Sequence, residues 1–234
     1  MKKILFVLLF IASAARAEDA TAILARSEAY RVAVDSFSID VDLTNHDDAR
    51  TETSKIRVYG RGTDRSVVEF LAPAADKGKY LLMLRDAMWI YLPSASRPIR
   101  ISPLQRLMGQ ASNGDVARTS FAVDYIARSA ARDGNAWIIE LEAKDPALAY
   151  KRVQLRTDAA TDEPVSADFF AVSGKLLKRA HYCKFAIMAG RRVVSEIEIE
   201  DMLRPGRRTV MTYSSLVARE NPEKMFTRDA LGKW

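Results

Sequence analysis

A single cysteine, Cys183, leaves the chain without an internal disulfide and without a cysteine-based zinc or iron–sulfur site. Two histidines are too few for a histidine-rich metal centre or a proton relay. Ten glycines and eight prolines in 234 residues exclude a collagen-like or low-complexity chain, and 48% apolar residues exclude a disordered one. Catalytic signatures are missing as well: there is no G-x-S-x-G, no H-E-x-x-H, no glycine-rich phosphate loop and no Cys–His pair. No motif calls for a cofactor or a metal, and the expectation is a protein that is not an enzyme.

Long apolar runs are also scarce. The longest, Ile4–Ala12, follows Met1-Lys2-Lys3 and precedes Ala15-Arg16-Ala17, an A-x-A site before Glu18. That run is too short to span a bilayer, so residues 1–17 read as a secretory signal cleaved after Ala17, and residues 18–234 as one exported domain. A periplasmic location follows. Taking Lys2, Lys3 and Arg16 from the 36 basic residues leaves 33 against 30 acidic, a charge of +3 that gives no reason to expect nucleic acid. Cys183 is then alone in an oxidising space, and burial would keep it inert.

What the mature chain has in abundance is period-two alternation, the mark of half-buried strands. Phe37, Ile39, Val41 and Leu43 alternate with Ser38, Asp40 and Asp42; Ile197 and Ile199 oppose Glu196, Glu198 and Glu200. Similar patterns over 55–60, 66–71, 79–85, 88–92, 137–142, 152–156, 165–172, 175–188 and 208–217 give about eleven strands. Asn45-His46-Asp47-Asp48, Asp133-Gly134-Asn135, Ala189-Gly190 and Arg204-Pro205-Gly206 separate several of them by turns. Short links without alternating long helices predict an antiparallel meander in a single domain. Helices are expected over Ala20–Val34, after Ser102-Pro103 with Leu104, Leu107, Met108 and Ala111 at helical spacing, around Val116–Ile126, and near Asn221-Pro222-Glu223.

Residues 80–92 break the alternation. Tyr80–Leu84 and Met88–Leu92 are apolar on both faces, so a second layer must cover one of them, and the Leu104–Met108 helix is the expected cover. A tightly seated helix would make an ordinary core. A loose one would leave an apolar cavity under a lid.

Several stretches resemble the outer-membrane lipoprotein-sorting proteins, specifically the LolA-like branch typified by a treponemal lipoprotein-carrier-like domain. They are Ser66–Phe70, Pro73, Asp76-Lys77-Gly78, Met88–Pro93, Arg97–Ser102, Asn113-Gly114-Asp115, Tyr150, Ser173–Lys178 and Glu196–Asp201. The resemblance runs from about residue 36 to 217. It implies a mainly β fold: one curved antiparallel sheet forming an unclosed barrel, with helices lidding an apolar concave face. It also implies lipid or lipoprotein acyl chains as cargo, transient contact with a membrane surface, and an inner-membrane exporter of the resistance–nodulation–division (RND) or ABC type as partner. A cargo-free sensor or accessory subunit with the same fold is the alternative. The single functional arginine of the best-known lipoprotein carrier has no counterpart here.

On this reading Trp89, Tyr91, Leu92, Ile99, Ile101, Leu104, Leu107 and Met108 line or gate the cavity. Alternation lets only some of residues 89–92 point inward. Arg97, Arg100 and Arg106 flank the entrance, either meeting an anionic headgroup or partner, or standing as a solvated loop. His46-Asp47-Asp48 carries metal-ligand types, but a polar turn accounts for all three.

Overall fold

The computed structural model describes residues 19–31, 34–47, 50–85, 87–102, 106–112, 115, 120–146, 148 and 150–233, without the side chains of Arg106 and Met108. The signal expected over residues 1–17 lies outside them.

A short helix, α1 (Ala20–Glu28), opens the described chain. Asp19 caps it by accepting the Thr21 N–H at 3.0 Å, and Ala20, Ile23, Leu24 and Ser27 form its buried stripe. Six strands follow: β1 (Ser36–Asp47), β2 (Arg50–Arg61), β3 (Arg65–Ala72), β4 (Tyr80–Leu84), β5 (Ala87–Tyr91) and β6 (Ile99–Ile101). A small hairpin, β7 (Arg106–Met108) and β8 (Ala111–Ser112), precedes a one-turn helix, α2 (Phe121–Asp124). The rest is strand: β9 (Tyr125–Asp133), β10 (Ala136–Ala143), β11 (Arg152–Asp158), β12 (Pro164–Phe170), β13 (Leu176–Met188), β14 (Arg191–Asp201) and β15 (Arg208–Ala218). Two 3-10 turns, Glu223–Phe226 and Arg228–Ala230, end it.

Thirteen strands form one antiparallel sheet in the order β6-β5-β4-β3-β2-β1-β15-β14-β13-β12-β11-β10-β9. Its edges, β6 and β9, do not pair with each other, so the sheet is unclosed. Laid flat at about 4.8 Å per strand it would be roughly 60 Å wide. Yet Thr63, Met83 and Arg85 from one flank line the same cleft as Val123, Lys144 and Leu148 from the other. Only a strongly rolled sheet brings them together.

The alternation read from the sequence sorts the two faces. Ile39, Val41 and Leu43 of β1, Ile197 and Ile199 of β14, and Val153 and Leu155 of β11 all face the concave cluster. The opposite face carries cross-strand ion pairs such as Arg57–Asp40 and Arg179–Asp168, each with a 2.5 Å contact.

The structure corrects four expectations. In place of the helix expected from Leu104 to Ala111, residues 106–112 form a β-hairpin, because Gly109 takes φ +52° and turns the chain back at Gly109-Gln110; Leu104 lies outside the described residues. Of the helix expected over 116–126, residues 116–119 lie outside the described residues, Phe121–Asp124 form the α2 turn, and Tyr125 and Ile126 are strand, the start of β9. The opening helix stops at Glu28 rather than Val34. Cys183 is exposed: the register shifts between Tyr182 and Lys184, which takes it out of the buried alternation.

Candidate ligand site on the concave face

Every strand of the large sheet contributes to the concave cluster, and α1 packs Ile23 and Leu24 into it. Part of this surface remains uncovered. Ile39, Ile90, Trp137, Phe185, Ile197 and Tyr213 belong to the cluster but are only half-buried. A cleft of about 440 Å³ opens between the flanks. Thr63, Asp64, Met83 and Arg85 line it on one side, and Val123, Lys144 and Leu148 on the other.

The hairpin β7–β8 crosses this region. Leu107 packs against the cluster and Ala111 is fully buried in it. Its turn is held at the far end of β1 and β15. The Gln110 N–H donates to Thr209 Oγ1 at 2.8 Å, and that hydroxyl donates to Asn45 Oδ1 at 3.1 Å.

Two polar nodes are sunk in the apolar surface, one on each side of an aromatic group. In the first, Glu28 accepts hydrogen bonds from the Arg31 guanidinium at 3.0 Å, from the Phe121 N–H at 2.9 Å and from the Ser120 hydroxyl. Arg31 also lies 4.1 Å over the Phe121 ring. Burial acts to lower its pKa, but Tyr182 and Glu28 outweigh it and hold the guanidinium above its usual value. In the second node, Asp115 accepts from Lys178 at 2.8 Å, from the Ser112 N–H at 2.8 Å and from the Tyr150 hydroxyl at 3.2 Å. Burial first, and Asp115 second, push the Tyr150 phenol well above its usual range. Between the nodes, Tyr150 stacks on Phe169 at 4.8 Å, Phe169 meets Phe121 at 6.1 Å, and Phe121 meets Tyr125 at 5.9 Å. Burial also raises the phenols of Tyr182 and Tyr213, which face the same interior.

The residues expected to line the cavity separate by strand parity. Met88 and Ile90 point to the concave cluster, and Ile101, opposite Met88, packs there with Leu107. Trp89 and Tyr91 do not. Alternation turns them to the other face, where they join Tyr59, Val67 and Leu82 beneath Met225, Phe226 and Leu231 of the C-terminal segment. That segment, not the expected helix, covers the second apolar face of residues 80–92. Leu92 is half-buried beyond the end of β5. Ile99 sits opposite Ile90 on the edge strand and is 49% exposed. Leu104 and the side chains of Met108 and Arg106 lie outside the described residues. Arg97 and Arg100 are exposed, and Arg100 pairs with Trp89 in register, which puts it on the outer face, away from the cleft.

The sequence reading missed Glu28, Arg31, Ser120, Tyr182 and Tyr213. Asp115, Tyr150 and Lys178 stood in it only as matched positions without a role. They lie 35 and 63 residues from Asp115, respectively, and their convergence depends on the rolled sheet.

A family model described as "Uncharacterized protein"-like matches residues 62–233. No curated protein matches. Among solved structures, the LolA superfamily protein NE2245 of Nitrosomonas europaea is 33% identical, with a TM-score of 0.83 over 91% of this chain and 99% of its own. A DUF1329 family protein of Desulfovibrio piger has a TM-score of 0.77 at 21% identity, over 91% of this chain and 97% of its own. An outer membrane lipoprotein-sorting protein domain of Vibrio parahaemolyticus has a TM-score of 0.75 at 17% identity, over 92% and 100%. The last two share the fold.

Proposed function

Given that the chain belongs to the LolA superfamily, we propose that it is a periplasmic carrier that shields the acyl chains of a lipid or lipoprotein between membranes. One observation carries this reading: an apolar concave face shared by all thirteen strands, incompletely filled, beneath a hairpin held at its tip by a short chain of hydrogen bonds. Its mechanism is burial and release, with no chemical step. Each methylene taken from water contributes about 0.8 kcal/mol, so affinity rises steeply with the length and number of the chains buried. Release needs an acceptor with higher affinity, or an inner-membrane exporter of the RND or ABC type that couples energy to transfer. The Gly109-Gln110 turn is the natural gate, because its few polar contacts cost little to break compared with the sheet.

Lipid extraction and native mass spectrometry of the protein purified from its own periplasm test the proposal. Co-purified acyl lipid, displaced when the hairpin is opened, is the expected result. Protein that carries no lipid and takes up none from vesicles would instead be a cargo-free accessory subunit.

A further inference from the structure

Tyr182 and Tyr213 are central to the concave face yet serve no structural hydrogen bond there. Tyr182 is only 7% exposed, and Tyr213 sits opposite Val41, midway along β1. Among the described residues neither hydroxyl has a hydrogen-bond partner. Neither is among the sealed, unsatisfied side-chain atoms, which are Ser27 Oγ, Thr157 Oγ1 and Asn221 Oδ1. Both hydroxyls therefore open onto accessible space deep inside the sheet. A phenol O–H that reaches open space without a protein partner is free to donate to a ligand's acceptor.

The charges around this space are already matched. Arg31, which the two tyrosines flank electrostatically, is paired with Glu28, and Lys178 is paired with Asp115. What the interior still offers is donors without an unmatched charge: two phenol O–H groups, and the N–H groups that Arg31, its charge matched by Glu28, does not give to that carboxylate. A second negative charge entering here would be desolvated beside Glu28 and Asp115.

We propose that Tyr182, Tyr213 and Arg31 form a seat for the uncharged carbonyl oxygens of an ester- or amide-linked acyl group. The preferred ligand is thus a neutral acylglycerol-type head rather than a free fatty acid or a phosphatidate. The seat rests on the carrier reading above and adds head selectivity to it: the apolar face holds the chains, and the phenols read the linkage.

The test compares dioctanoylglycerol with dioctanoylphosphatidate, and uses N-phenylnaphthylamine to report apolar uptake, on the mature protein and on a Tyr182→Phe/Tyr213→Phe variant. The variant removes only the hydroxyls, so folding is preserved. The wild type should favour the glycerol ester at least about tenfold. The variant should lose about tenfold in that affinity, the equivalent of two ordinary hydrogen bonds, and still take up the apolar probe. Equal binding of the two esters, or a variant that binds like the wild type, would overturn the seat while leaving acyl-chain burial intact. Failure of both esters and of the probe would overturn the seat and the carrier reading together.

Discussion

The Gly109 backbone lies so close to Asn45 that a Cβ at position 109 would meet the Asn45 side-chain oxygen at 1.9 Å and the Thr209 hydroxyl at 2.4 Å. The φ of +52° independently favours glycine. Gly109→Val therefore pushes the turn off Asn45 and Thr209 and removes the hairpin's anchorage without replacing any residue of the sheet. The strain and lost hydrogen bonds are worth roughly 1–3 kcal/mol. Far-UV circular dichroism should be unchanged. Amide exchange should speed up over residues 106–112, and an apolar dye should bind the interior more readily. A variant with wild-type exchange there would show that the turn is not the gate.

Asn221 has the same role for the opposite face. Fully buried, it donates through Nδ2 to the carbonyls of Phe37 at 2.7 Å and Gly60 at 2.9 Å, and its backbone carbonyl accepts from the Arg61 guanidinium at 2.6 Å. These bonds anchor the chain just before Met225 and Phe226 cover Trp89 and Leu82. Asn221→Ala leaves two buried carbonyls unpaired and should cost about 2–4 kcal/mol. The accompanying signature is a red-shifted tryptophan emission as the strap lifts from Trp89. A destabilised variant with unshifted emission would break the link between the anchor and the strap.

How far the sequence carries the fold depends on whether burial follows a simple period. β1 and β14 alternate without ambiguity, and all eleven strands expected from alternation are present. β9 was missed because its sequence, Tyr-Ile-Ala-Arg-Ser-Ala-Ala-Arg-Asp, has few β-branched residues. A bulge opposite Glu140/Leu141 also separates its inward Ala127 and Ala130 by three positions. The hairpin reads as a helix in the sequence because Leu104, Leu107, Met108 and Ala111 recur at helical spacing, and only the backbone at Gly109 decides. Trp89 and Tyr91 were assigned to the cavity because nothing local announces that residues 225–231, more than a hundred positions away, cover their face. The polar nodes were invisible for the same reason: each joins segments that meet only after the sheet has rolled.

The Asp115–Lys178 pair is 2.8 Å apart, with side-chain exposures of 13% and 17%. Removing one partner strands the other charge in a mostly apolar setting. Lys178→Met should therefore destabilise by about 2–3 kcal/mol in urea titrations, while Asp115→Asn combined with Lys178→Met should recover much of the loss. An additive double variant would mean that the two charges are solvated independently.

Alkaline stability follows from the buried phenols. Burial is the leading cause that raises Tyr150, Tyr182 and Tyr213 above the usual tyrosine value of 10.0. A group whose folded pKa is raised contributes stability that is complete below its unfolded pKa and lost as pH climbs toward the folded one. The loss should therefore begin near pH 10, where the unfolded chain starts to release protons that the folded interior retains. Each such tyrosine contributes a slope of about 1.4 kcal/mol per pH unit. Tyr213→Phe removes one of these slopes and leaves stability near neutrality almost unaffected by charge, so the wild type and variant should diverge only in alkaline urea titrations. Parallel curves above pH 10 would mean that Tyr213 ionises in the folded protein as it does in water.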